Sequence, residues 1–148
     1  MRRELTGYWK TIFTALGLSA TAYHVIALGL VATGVWELRI VHLMVGLTLI
    51  PLLYPAFASS PKDKPSLCDV LLAVIGIAAS IYPLLLGDEL AMRQGMFPTP
   101  ADVVVATTLV LLILEYTRRA IGWPLIIVAV CLIVYALSAA HFPGMLRA

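Results

Sequence analysis

The chain has 148 residues, of which 61% are hydrophobic and 12% charged, and its mean hydropathy is +0.99. A soluble domain carries about twice that share of charge, so most of the chain is expected in lipid, with room for four or five crossings and none for an extramembrane domain. Ten basic and eight acidic residues sit in short clusters, without the long basic stripe that tracks a phosphate backbone, which excludes nucleic acid as a partner.

The expected fold is an all-α integral membrane protein, a single membrane domain over residues 1–148 with four to five transmembrane helices and short loops. Met1 to Lys10, with Arg2 and Arg3, precede an apolar stretch too long for the core of a signal peptide, so it reads as a retained first span. Apolar runs cover about 11–35, 40–58, 69–87, 103–117 and 123–140. The breaks between them hold Glu37 and Arg39, then Ser59 to Ser66 with Pro61 and Pro65, then Asp88 to Asp102 with Gly95, Pro98 and Pro100. Between the last two runs, Gly122 suits a helix end and Pro124 the first turn of a new helix, which predicts a sharp turn.

The first run holds His24 near its middle, on a small and polar stripe with Thr14, Gly17 and Thr21 that should face protein. A proton relay or haem ligand is one reading of His24, and a histidine hydrogen-bonded to a neighbouring helix the favoured one. His42 follows Arg39 by one turn at the start of the second run, about half a membrane from His24 on this reading, so the two could not share one iron. An interfacial or capping role for Arg39 and His42, near Glu37, is expected instead. Asp69 and Asp102 each open an apolar run and are expected to cap helices. In the third run Ala73, Gly76 and Ser80 form a small-residue face fit for internal packing or for a partner helix.

The 103–117 run is short, about 22 Å as a helix, and either crosses or lies as an interfacial arm. At its end Glu115 precedes Arg118 and Arg119 at the helical spacing in which carboxylate and guanidinium meet, so this cluster is read as a self-neutralising ion pair at an interface. Trp9, Trp36, Trp123, Tyr8 and Tyr54 fall near span ends as interfacial anchors. Cys68 and Cys131 have no second thiol at ligand spacing, so neither a disulfide nor zinc is expected. With five crossings, Arg2, Arg3, Lys10, Lys62, Lys64, Arg118 and Arg119 fall inside and Arg39, Arg93 and Arg147 outside, which places the amino terminus in the cytoplasm. Four spans and an arm would bring the carboxyl terminus to the cytoplasm as well. No inverted repeat or pair of broken spans marks an ion site, which argues against a self-sufficient carrier.

Several segments together resemble the small (Q-type) membrane subunit of TRAP, or tripartite ATP-independent periplasmic, transporters of the TAXI branch. They are Tyr23-His24, Arg39-Ile40-Val41-His42-Leu43, Leu53-Tyr54-Pro55, Asp69 with Leu71-Leu72-Ala73, Tyr82, Arg93-Gln94-Gly95, Pro98-Thr99-Pro100-Ala101-Asp102, Tyr135-Ala136 and Phe142-Pro143-Gly144. The most specific is Leu114-Glu115-Tyr116-Thr117-Arg118-Arg119-Ala120-Ile121-Gly122-Trp123-Pro124-Leu125, although Tyr116 replaces a typical alanine and Cys68 an expected aromatic residue. The resemblance implies a secondary transporter in a bacterial inner membrane, importing a small organic anion on a sodium or proton gradient. Its partners would be a periplasmic substrate-binding protein and a large elevator subunit, a separate chain here because the sequence stops at Met145-Leu146-Arg147-Ala148. This chain would be a support without enzyme activity or cofactor, with His24, Arg39, His42, Asp69, Asp102, Glu115, Arg118 and Arg119 in structure and assembly. Glu37, Arg39, Asp88, Glu89 and Arg93, expected on the outer side, would help dock the binding protein. Two rival readings are an autonomous oligomeric carrier or channel and a haem-binding anchor of a redox complex.

Overall fold

The computed structural model describes residues 2–31, 33–57, 59–93 and 96–138. Gln94, Gly95, Arg147 and the segment 142–148 lie outside the described residues, as do the last two positions of the 123–140 run. The described chain is helical throughout: α1 (Gly7–Gly29), α2 (Val35–Leu53), α3 (Leu67–Leu85), the short α4 (Gly87–Arg93), α5 (Pro100–Ala120) and α6 (Trp123–Ser138). Four of these, α1, α2, α3 and α5, are long and apolar enough to cross a membrane; α6 is apolar but shorter.

Backbone chemistry moves the helix ends away from the hydropathy boundaries. Although apolar side chains continue to residue 35, α1 stops at Gly29, and α2 is entered through Gly34 in an extended conformation. The two glycines make this apolar stretch a poor place for helix. α2 ends at Leu53, not 58, because Tyr54 precedes Pro55 and takes the extended backbone that a following proline imposes. α3 and α5 begin alike: Ser66 and Thr99 are the N-caps, and Asp69 and Asp102, three residues on, bond back to the cap residue's backbone N–H in reciprocal capping boxes. The expected turn after α5 is present, with Gly122 at φ +112° and its N–H donating to the Thr117 carbonyl at 3.2 Å.

The fourth run is longer than its hydropathy indicates. Pro100 occupies the first turn and the helix runs 21 residues to Ala120, about 31 Å and enough to span a hydrocarbon core. α5 packs on both α2 and α3 and ends at the same end of the bundle as α2. In length and hydropathy α5 is a candidate span like α1, α2 and α3.

α2, α3 and α5 form the centre, with Leu47, Leu112 and Tyr116 buried together against Leu43, Ile50, Leu72 and Leu109. α1 packs on α2 and α6 on α5, and among the described residues each has a single buried one, Ala27 and Ile126. The small-residue face of α3 is used internally: Ala73, Gly76, Ala79 and Ser80 are buried, and a Cβ at Gly76 would lie 2.9 Å from the Leu47 Cβ. Gly76→Val is therefore expected to cost about 1–3 kcal/mol through overpacking, read as unfolding in mild detergent. Gly17→Ala, where a Cβ meets nothing within 4 Å, should leave stability unchanged or raised.

Candidate functional site

At one end of the bundle the amino-terminal arm, the end of α2, the start of α3 and the end of α5 meet around Asp69. The arm is tied down by backbone hydrogen bonds from Arg3 N to Leu53 O, Glu4 N to Lys62 O and Thr6 N to Asp63 O. This fastening places Arg3, 3% exposed, against Asp69, which is fully buried. Arg3 Nη2 donates to Asp69 Oδ2 at 2.5 Å, Nη1 to the carbonyls of Pro51 and Leu52, and Nε to Pro61 O. Two of the last carbonyls of α2, which lack helical partners, are thus satisfied by a cation where the helix dipole favours one.

Arg119 approaches Asp69 from the opposite side. Its Nη1 donates to Asp69 Oδ1 at 2.7 Å and its Nε to Glu115 Oε1 at 2.8 Å. Arg118 grips both oxygens of Glu115 through Nε and Nη2 and reaches the Ala56 carbonyl at 3.3 Å. A buried carboxylate between two guanidinium groups, with the Ser66 hydroxyl also donating to Oδ2, meets the condition under which buried charge is tolerable: full pairing and full hydrogen bonding. The Arg119 guanidinium also stands 5.5 Å from the centroid of Tyr116, whose buried hydroxyl has no partner among the described residues.

Local spacing identified the Glu115, Arg118 and Arg119 group but not its extent. It is not self-contained: it closes through Asp69 onto Arg3, 66 residues away from Asp69 in sequence. Asp69 does take part in a cap, as expected, but Ser66 is the N-cap residue and the carboxylate has a second role at the centre of the network. Asp102 has a smaller network of its own, accepting from the Tyr82 hydroxyl at 2.6 Å with Arg93 at 3.7 Å.

His24 and His42 are adjacent, which corrects the expectation of half a membrane between them. With α1 ending at Gly29 and α2 starting at Val35, both lie near the α1–α2 turn. His24 Nδ1 lies 2.7 Å from the Ala20 carbonyl, an acceptor only, so it donates; His24 Nε2 and His42 Nδ1 lie 3.2 Å apart, within hydrogen-bond distance. The facing ring nitrogens are hydrogen-bonded and leave no gap for a porphyrin plane, so the pair does not fit the two sides of one haem iron. In the stripe of Thr14, Gly17 and Thr21 both threonines are exposed; Thr21 bonds to the Gly17 carbonyl of its own helix, and Thr14 lines a cleft with Arg2, Arg3 and Leu53.

The opposite end gathers acidic groups. Glu37, Asp88 and Glu89 line one cleft with Trp36, whose Nε1 donates to Pro83 O at 2.9 Å. Arg93 lies 3.6 Å from Glu89, while Arg39 is exposed and does not line the cleft. Among the described residues no group of three or more His, Cys, Asp or Glu is placed to hold a metal ion. Cys68 and Cys131 are free and exposed. What the charged end can do chemically is hold helices together and present positive charge.

Asp69→Asn leaves two largely buried guanidinium groups without their shared carboxylate and is expected to cost about 3–5 kcal/mol, measured as loss of folded yield and of unfolding free energy in detergent. Exposed Asp63→Asn, in the loop that precedes α3, should change neither. Comparison of the chain with family models, with curated proteins and with solved structures finds no match.

Proposed function

We propose that this chain is the small membrane subunit of a TAXI-branch TRAP transporter, a multi-pass protein of a bacterial inner membrane with its amino terminus in the cytoplasm. It does not carry substrate; it supports a large elevator subunit that imports a small organic anion, delivered by a periplasmic binding protein, on a sodium or proton gradient. The observation that carries this reading is the segment Leu114 to Leu125, the most specific part of the resemblance. Its charged residues Glu115, Arg118 and Arg119 tie α5 to α2 and α3, a role suited to a rigid support.

Two further features favour it. α1 and α6 present exposed apolar residues such as Leu18, Val25, Leu28, Ile127, Leu132 and Leu137 on the flanks of an internally locked centre, surface fit for lipid and a large neighbour. The seven cations assigned to the cytoplasm lie in the arm, the α2–α3 loop and the adjoining ends of α1 and α5, whereas Glu37, Asp88, Glu89 and Asp102 mark the other end. The cleft joining Glu37 to Asp88 and Glu89 is the surface we assign to the binding protein.

An autonomous carrier needs an accessible acid in its spans. Glu115 is held by two arginines and Asp69 by two more contacts of the same kind, which disfavours that reading. The test is affinity purification of the tagged chain in mild detergent after expression with its genomic neighbours, with partners identified by mass spectrometry. One stoichiometric large polytopic subunit is the expected result. Recovery of a homo-oligomer alone would overturn the assignment.

A further inference from the structure

Beside the charged cluster lies a cleft of about 230 Å³, walled by Arg2, Arg3, Lys62, Arg118 and Arg119 around the backbone of residues 55–57. Arg3 and Arg119 are committed to Asp69, and Arg118 and Arg119 to Glu115. Arg2 and Lys62 are exposed and form no ion pair among the described residues. Five cations against two carboxylates leave a surplus of three positive charges. Glu4 and Asp63 stand at this end too, but Lys10 and Lys64 beside them offset their charge.

The chain therefore supplies more cations than it can neutralise, at one spot and around a cavity. Repulsion among them is relieved by a bound anion, and guanidinium and ammonium groups together suit a phosphate. The setting favours a lipid over a dissolved ion. Phe57 lines the cleft and is 67% exposed, apolar surface of no use to a free anion but suited to an acyl chain. Trp9 and Trp123 stand at helix ends on the same side of the bundle, the level of the headgroups.

We propose that this cleft binds the phosphate group of an anionic phospholipid from the adjacent leaflet. Arg2, Lys62 and the Nη1 edge of Arg118, which makes no hydrogen bond among the described residues, hold the phosphate; Phe57 borders the chains. The cytoplasmic leaflet is the anionic one, and basic residues at its surface gain from that charge. The proposal rests on the membrane orientation given above and not on the transporter reading, so the lipid and the large subunit can be lost or found independently.

The experiment is retention of phosphatidylglycerol against phosphatidylcholine by the full chain in mild detergent, titrated and read by native mass spectrometry. The parent chain is expected to prefer phosphatidylglycerol, more so at low salt. The double variant Arg2→Ala/Lys62→Ala, which touches neither Asp69 nor Glu115, is expected to weaken that binding roughly twenty-five-fold, from about fivefold per basic residue at the surface. Its phosphatidylcholine retention and unfolding temperature should stay those of the parent. Inorganic phosphate, the same anion without acyl chains, should displace the lipid only in large excess; displacement at equal concentration would assign the cleft to a free anion and overturn the lipid. Equal retention of the two lipids by the parent, or unchanged phosphatidylglycerol binding in the double variant, would overturn the site itself.

Discussion

One buried carboxylate fastens segments that are far apart in sequence. Asp69 sits in the first turn of α3, where a negative charge is favoured, and accepts from Arg3 and Arg119. Arg3 also caps the last turn of α2, and Arg119 belongs to the last turn of α5, both places where a positive charge is favoured. Three helix ends are thereby held by groups whose charges match the local dipoles. Burial makes the arrangement demanding: a charge out of water is strongly destabilising unless all its partners are in place, so the arm, the α2–α3 loop and the end of α5 must all be in register together.

The centre of the bundle follows from this constraint. The small face of α3 brings α2 within backbone range at Gly76, and Tyr116, Leu112 and Leu47 close the space beside it. At the far end Trp36 donates to Pro83 O, and the Tyr82 hydroxyl to Asp102, so α3 is fastened there to the start of α2 and to the start of α5. Gly87 permits the first of these contacts, since a Cβ there would lie 2.6 Å from Trp36 Nε1. The α2–α3–α5 centre is thus fastened at both ends, and α1 and α6 on its flanks leave apolar residues exposed.

The five apolar helices, the turn at Gly122, the capping at Asp69 and Asp102 and the Glu115 cluster are legible in the sequence, because each depends on residues within a few positions of one another; the short polar α4, Gly87–Arg93, lies in a stretch that hydropathy reads only as a break. The rest turned on backbone propensity or on distance along the chain. Hydropathy carried the first run through to 35 because Leu30, Val31 and Val35 are apolar, yet Gly29 and Gly34 end one helix and start the next. That small shift brings His24 and His42, which hydropathy alone sets at different depths, to within 3.2 Å of each other in the fold. Arg3 gave a different kind of signal: its position in an amino-terminal basic pair spoke for topology, and nothing local pointed to Asp69. A buried pairing of such separation leaves no spacing to read; the one cue was an acid at the edge of a span with two arginines elsewhere at the same depth.

The central claim is that the Arg3 and Asp69 charges act as one unit in holding the helix ends. A double-mutant cycle of Arg3→Met and Asp69→Leu, read as unfolding free energy in mild detergent, tests it most directly. Each single variant is expected to be destabilised and the double variant to recover part of the loss, with a coupling of about 1–3 kcal/mol. Losses that add to within about 0.5 kcal/mol would mean that the two residues act independently, and would contradict the claim.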